Sequence, residues 1–161
     1  SAEWNAWVDP HALKHVLAQW PASAPAPRIC PLNVTEQVLL TPDRLRPMLA
    51  NLPLRRAELV DLLSDATTFY FEFHRSVGVG YKAQIHDLAA AQVTLAEALH
   101  LQIGHWLRPA TVDVEADSEL MRGTTVADWD GSYWGRPANA QVLTAIDADN
   151  VLDLLDRELH S

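Results

Sequence analysis

The sequence holds 161 residues, 48% of them apolar and 20% charged, which are the proportions of an ordinary soluble globular domain. Its formal net charge of −9 repels phosphate backbones, so nucleic acid is excluded as an electrostatic partner. No apolar run reaches the roughly 20 residues of a membrane span, and Ser1–Pro10, acidic and without a basic residue, does not read as a secretory leader. Cys30 is the single cysteine; it allows no internal disulfide, fits a cytoplasmic, reducing setting, and sits among apolar neighbours as a small hydrophobe rather than a nucleophile.

In chain order, Leu13, Val16 and Trp20 are spaced three and four apart and predict a short helix over His11–Trp20. Pro21, Pro25 and Pro27 then mark a loop, and the mostly apolar run Arg28–Val34 reads as a buried strand. Thr41-Pro42-Asp43 is a helix-start signature: a capping hydroxyl, a proline in the first turn and a carboxylate at the positive helix end. Leu45, Met48 and Leu49 supply that helix's apolar face. A longer helical pattern covers Arg55–Val77, closed by Gly78 and Gly80.

Asp87–Leu99 predicts a helix with an apolar stripe through Leu88, Ala91, Leu95, Ala98 and Leu99. Thr111–Glu115 and Thr124–Trp129 read as strands, with Asp130-Gly131-Ser132 as the turn after the second, and Ala140–Ile146 as a third. An amphipathic helix over Asp147–Leu159 ends the chain. Interleaved helices and strands argue for an α/β layered fold, taken as a single domain over residues 1–161.

His86-Asp87 places a proton donor and a hard oxygen ligand together at a strand-to-helix junction, the edge where open α/β sheets bind ligands. On spacing alone, the plainer reading is a helix cap beside an incidental histidine. Glu3 and Asn5, two apart, would point to one side of an extended segment and could grip adjacent hydroxyls of a sugar; the plainer reading is a solvated terminus. Trp129, Tyr133 and Trp134 flank a turn and could stack on a sugar or base, or simply pack on their own strand. His11 and His15 share a helix face, but nothing at ligand spacing completes a metal site with them.

Taken in order, these fragments resemble one family, the inosine–uridine-type nucleoside hydrolases. Ala2-Glu3-Trp4-Asn5 with Val8-Asp9-Pro10 is similar to that family's "AEFN…DP" segment. Pro31-Leu32-Asn33-Val34-Thr35-Glu36-Gln37 with Leu39-Leu40-Thr41 resembles "PLDVTHQ…LLT". Phe69-Tyr70 with Phe73-His74 looks like its aromatic helix, and His86-Asp87 matches the "HD" that follows. Thr111–Asp117 with Glu119-Leu120-Met121-Arg122-Gly123-Thr124-Thr125-Val126 is similar to "VDVE…GELTRGMTVVD", and Arg136-Pro137-Ala138-Asn139-Ala140 completes the series.

The resemblance implies the C-terminal portion of an open, mostly parallel sheet flanked by helices. It also implies calcium-dependent hydrolysis of the N-glycosidic bond of ribonucleosides. His86 maps to the group that protonates the departing base, Asp87 to a calcium ligand, and Glu3 and Asn5 to ribose binding. A histidine at position 86 resembles the inosine–uridine and pyrimidine groups more than the purine-specific one. The family's aspartate-rich opening, of the form DxDxxxDD, has no counterpart here, and Asn33 and Glu36 replace an aspartate and a histidine. The expectation is therefore a chain that works only with the N-terminal half of the same fold, or that associates with another copy of itself. The alternative is a diverged, non-catalytic fragment serving as a binding or scaffold module.

Overall fold

The structure is a computed structural model that describes residues 2–50, 52–96 and 98–161. In chain order the elements are α1 (Trp4–Val8), α2 (Pro10–Gln19), β1 (Arg28–Ile29), α3 (Leu32–Thr35), β2 (Leu39–Leu40) and α4 (Pro42–Leu49). A 3-10 turn (Leu54–Arg56) leads into α5 (Ala57–Ser76), then β3 (Ala83–Gln84), α6 (His86–Leu95), β4 (His105–Val114), β5 (Thr125–Asp128), β6 (Ala140–Ile146) and α7 (Ala148–His160). Contacts gather these into two compact units, one of residues 1–34 and 105–145, the other of residues 35–104 and 146–161.

The first unit is built on a four-stranded sheet in the order β1-β6-β4-β5. It is mixed: β1 runs parallel to β6, with Ile29 opposite Val142, while β4 and β5 are antiparallel, with Thr111 opposite Asp128. Leu17 of α2 closes over Ala110, Val112, Ala140 and Val142, and Leu13, Ile29 and Ala127 pack at the margin of this core. The expected β1 stops after two residues because Pro31 cannot donate to a ladder and the chain then turns into α3. Asn139 extends the ladder with its side chain. Its Oδ1 accepts from the Val112 N–H at 2.7 Å and its Nδ2 donates to the Val112 carbonyl at 3.0 Å. The strands expected at Thr111–Glu115, Thr124–Trp129 and Ala140–Ile146 are present, the first reaching back to His105.

The second unit carries the antiparallel pair β2–β3, Leu39 opposite Gln84 and Leu40 opposite Ala83, with α4, α5, α6 and α7. Thr41 caps α4 as its sequence predicts, accepting from the Arg44 N–H at 3.3 Å, and Asp147 caps α7 through the Asn150 N–H at 3.1 Å. Val38, Leu40, Met48, Phe71, Ala83, Ala89, Val93, Ile103 and Val151 are buried. α5 is unbroken at Thr67, whose hydroxyl donates back to the Leu63 carbonyl, as threonines in helices often do.

α6 turns a different face inward from the one its stripe predicts. Ala89, Gln92, Val93 and Ala96 are buried, whereas Leu95 and Leu99 are exposed. The helix is apolar on several sides, so periodicity allowed more than one stripe. Gln92 fixes the choice by donating from Nε2 to the Val151 carbonyl of α7 at 3.0 Å. α6 also ends at Leu95, short of the expected Leu99; Glu97, inside that expected span, lies outside the described residues.

Candidate active site

His86 is the first residue of α6, with only Ile85 between it and β3, so the junction read from the sequence exists. Two main-chain features hold it there. β3 is paired to β2, and the Ile85 N–H donates to the Val38 carbonyl at 2.9 Å. The segment carrying Thr35 is thereby brought beside the helix head, and the Thr35 hydroxyl lies 2.9 Å from His86 Nδ1. Thr35 is buried and His86 half-buried, so one nitrogen of the ring is anchored on the protein interior. That partnership was not read from the sequence. Thr35 lies within the Pro31–Gln37 segment, but a buried threonine gives no periodic signal that distinguishes it from core.

Asp87 lies in the first turn of α6, exposed, and is not its N-cap; that position is Ile85, which offers no side-chain cap. The cap reading therefore fails, and the carboxylate is left facing outward. Burial, and after it the negative charge of Asp87, hold the Tyr70 phenol above the ordinary tyrosine range, so the phenol stays protonated at neutral pH. Tyr70 sits one helical turn before His74 on α5. His74 is buried, its Nδ1 lies 2.9 Å from the Tyr70 carbonyl, and the two rings meet edge-on at 4.3 Å. A carbonyl only accepts, so Nδ1 of His74 carries a proton.

Glu3 and Asn5 belong to the other unit, and they are not two positions of an extended strand. Glu3 is the residue before α1 and Asn5 lies within it, so the alternation argument for their shared direction does not hold. Two residues along a helix are about 200° apart around its axis, on opposite sides rather than side by side. Glu3 Oε1 accepts the Leu32 N–H, which ties the start of α1 to α3, while Asn5 is exposed. Asp9-Pro10 has a local role: Asp9 caps α2 by accepting from the Ala12 N–H at 2.9 Å, with Pro10 at the first helical position.

The other candidates resolve as structure. Asp128 is buried and its Oδ2 accepts the N–H groups of Tyr133 and Trp134 at 3.1 and 3.0 Å, which folds the aromatic turn onto β5. Arg108 lies over Trp129 and Arg136 over Trp134, each 4.9 Å from the ring centre. Burial pushes the Cys30 thiol up, and the nearby Arg28 and Glu3 charges act in opposite directions, so thiolate chemistry is disfavoured there. His11 and His15 are both exposed on α2.

Calcium takes six to eight oxygens. Among the described residues no group of three or more His, Cys, Asp or Glu side chains is placed to hold a metal ion. The acidic residues at the end of β4 and just beyond it are engaged elsewhere: Asp113 pairs with Arg136 at 3.0 Å and Lys14 at 3.6 Å, and Glu115 accepts the N–H groups of Asp117 and Ser118. The side chains described here do not by themselves form a calcium cage. No helix among them is long and apolar enough to cross a membrane.

The family model described as inosine-uridine preferring nucleoside hydrolase matches residues 1–153. The non-specific ribonucleoside hydrolase RihC of Salmonella agona (strain SL483) is 34% identical over 151 residues, covering 92% of this chain and 42% of that protein. RihC of Escherichia coli O1:K1 / APEC is 35% identical over the same shares. The chain thus spans less than half the length of these curated relatives, in their C-terminal half. Among solved structures, a plant nucleoside hydrolase, the PpNRh1 enzyme, superposes with a TM-score of 0.75 at 22% identity, over 100% of this chain and 48% of that one. An inosine-guanosine nucleoside hydrolase gives 0.68 at 21% identity, over 99% of this chain and 46% of the other. Those two likenesses bear on the fold, which is α/β with a mixed sheet flanked by helices. With the family model matching nearly the whole sequence, this chain belongs to the inosine-uridine preferring nucleoside hydrolase family.

Proposed function

We propose that this chain contributes one part of the active site of a ribonucleoside hydrolase, with His86 assisting departure of the base. The supporting observation is the anchored imidazole at the head of α6. When the Thr35 hydroxyl donates to Nδ1, the neutral ring keeps its proton on Nε2, the nitrogen that is not held by Thr35. In the reaction, the bond between C1′ of ribose and the base nitrogen breaks and the electron pair leaves with the base. Water oxygen forms the new bond to C1′ and gives up one proton, while a proton supplied through His86 neutralises the leaving nitrogen; the proton from water makes good the one His86 has given. Such proton donation contributes about 10²–10⁴-fold.

Glu3 and Asn5 are assigned to ribose hydroxyls on the strength of the "AEFN"-like segment. Glu3 also holds the Leu32 N–H through Oε1. Calcium is the ion of this reading, with Asp87 one ligand and the remaining oxygens drawn from the N-terminal half of the fold. When bound, such an ion orients the sugar hydroxyls and acidifies water. The two units are read as parts of one domain because the family model runs across both. Uridine- and inosine-like substrates are favoured over purine-specific recognition, and a cytoplasmic setting is the one expected.

The test combines calcium calorimetry with a reducing-sugar assay on inosine and uridine. The chain alone is expected to bind calcium no more tightly than about millimolar and to release no base. With an N-terminal half of the family fold, both should appear, and His86→Ala should then slow turnover about 10²-fold or more for nucleosides with poor leaving groups. Base release by the isolated chain would overturn the need for a second part. Failure of every such half to restore activity would favour a non-catalytic module instead.

A further inference from the structure

α1 is five residues long. A helix this short does not repay its own nucleation in water, and its terminal N–H and carbonyl groups lack partners within the helix. Its geometry must come from outside. At its start, Glu3 makes no cap to its own helix but accepts the Leu32 N–H. At its end, Arg122 donates from Nε to the Trp7 carbonyl at 2.9 Å and from Nη2 to the Val8 carbonyl at 3.1 Å. These are the last two carbonyls of α1, and the planar fork of the guanidinium takes both at once. The same group lies over the Trp7 ring, 6.0 Å from its centre, and Trp7 stacks on Trp4 at 5.4 Å.

Gly123 closes the arrangement. Its φ is +74°, and a Cβ there would stand 2.5 Å from the Trp7 Cα, 2.6 Å from the Trp7 N and 2.9 Å from the Ala6 carbonyl carbon. These are backbone atoms that cannot swing aside. The loop is itself fixed from behind, since the Gly123 N–H donates to the Glu115 carbonyl at 2.8 Å. α1 is thus clamped between a backbone that touches it and a guanidinium that caps it.

We propose that Arg122 and Gly123 are positioning residues for the ribose subsite, setting the place of α1 and hence of Asn5 and Glu3. The proposal rests on the reading that those two side chains meet the sugar. Arg122 is only half-buried, and the hydrogen bonds from its Nε and Nη2 both end on α1. Losing them should loosen α1 locally rather than unfold the unit.

Amide hydrogen exchange on the 161-residue chain tests the clamp without any need for turnover. Arg122→Ala should raise exchange of the Trp7 and Asp9 amides, which donate to the Glu3 and Asn5 carbonyls, while α2 and β4 keep their protection. Arg122→Lys, retaining one donor, should recover part of it. Unchanged exchange in α1 would sink the proposal outright. Gly123→Ala is a harsher probe that risks the local fold, so the arginine variants carry the decision.

Steady-state kinetics on the assembled enzyme supply the second readout. Arg122→Ala should raise KM for uridine about tenfold with kcat changed much less, because sugar binding is loosened and proton donation is not. A loss confined to kcat, or KM unmoved while Asn5→Ala raises it, would also overturn the positioning role. If Asn5→Ala and Glu3→Gln leave KM untouched, it is the ribose assignment that fails, and this is told apart by an α1 that still loosens without Arg122.

Discussion

The Thr35 hydroxyl and Nδ1 of His86 face each other at 2.9 Å, the threonine buried and the histidine opening toward the surface at the head of α6. The contact orients the ring, and when the hydroxyl donates to Nδ1 the neutral ring carries its proton on Nε2, as a proton donor requires. Thr35→Val keeps the shape and deletes the hydroxyl. In the assembled enzyme it should lower kcat about tenfold to a hundredfold on nucleosides with basic leaving groups, with little change for activated ones, and Thr35→Ser should preserve most activity. Measuring kcat across a leaving-group series checks this. An equal loss for every nucleoside would point to packing rather than to the imidazole.

Acid should loosen the first unit through Asp128. Burial pushes this carboxyl up, but the N–H groups of Trp134, Tyr133, Asp130 and Ser132 outweigh it and hold it below the usual aspartate range. A group whose folded pKa is depressed contributes stability above its unfolded value, near 3.9, and that contribution is lost as pH falls through the folded value. Thermal melts from pH 7 to pH 2.5 should therefore show Tm falling below about pH 4. Asp128→Asn should melt lower at pH 7 and show a shallower acid limb; an identical limb in the variant would refute the assignment.

Gln92 gives a prediction in which the smaller change costs more. Its Nε2 reaches the Val151 carbonyl while its Oε1 is buried without a partner. Gln92→Ala leaves a void and removes the bond, and should cost about 1–3 kcal/mol in urea melts. Gln92→Met fills the same space and also removes the unpaired oxygen, so it should stay within about 1 kcal/mol of the parent. An equal and large loss in both variants would mean that the hydrogen bond, not the packing, dominates.

α5 predicts association of the isolated chain. Leu59, Leu62, Phe69, Phe73 and Val77 fall on one side of it, and Phe69 is 75% and Leu62 64% exposed. An exposed apolar seam of this length is unusual on a monomer. Light scattering of the chain at rising concentration should show growth in mass, and Leu62→Lys with Phe69→Lys should suppress it while leaving the helical circular dichroism intact. A strictly monomeric parent chain would contradict this.

Capping chemistry was the most legible part of the fold. Thr41-Pro42 and Asp147 start α4 and α7 where their side chains dictate, and β6 lies on the expected residues. α6 was misjudged by face because alanine and leucine alternate around it, and only the bond from Gln92 to α7 decides which side is inward. The placement of Glu3 and Asn5 failed for a related reason. Residues shortly before a proline-started helix look extended, whereas Asn5 lies inside α1, whose last two carbonyls accept from Arg122, more than a hundred positions away. His86-Asp87 at a strand-to-helix junction was readable, but its partner Thr35 was not, since the contact depends on the β2–β3 pairing.

The way the two units share the chain limits how the molecule can be divided. Residues 1–34 and 105–145 form one and 35–104 and 146–161 the other, so the polypeptide passes between them at three places. No single cut yields either unit whole. Trimming the last fifteen or so residues removes α7, and with it the helix against which Gln92 and Arg44 are anchored. A protease nick in the Pro21–Pro27 loop, by contrast, leaves both fragments with incomplete cores that must stay together to remain folded.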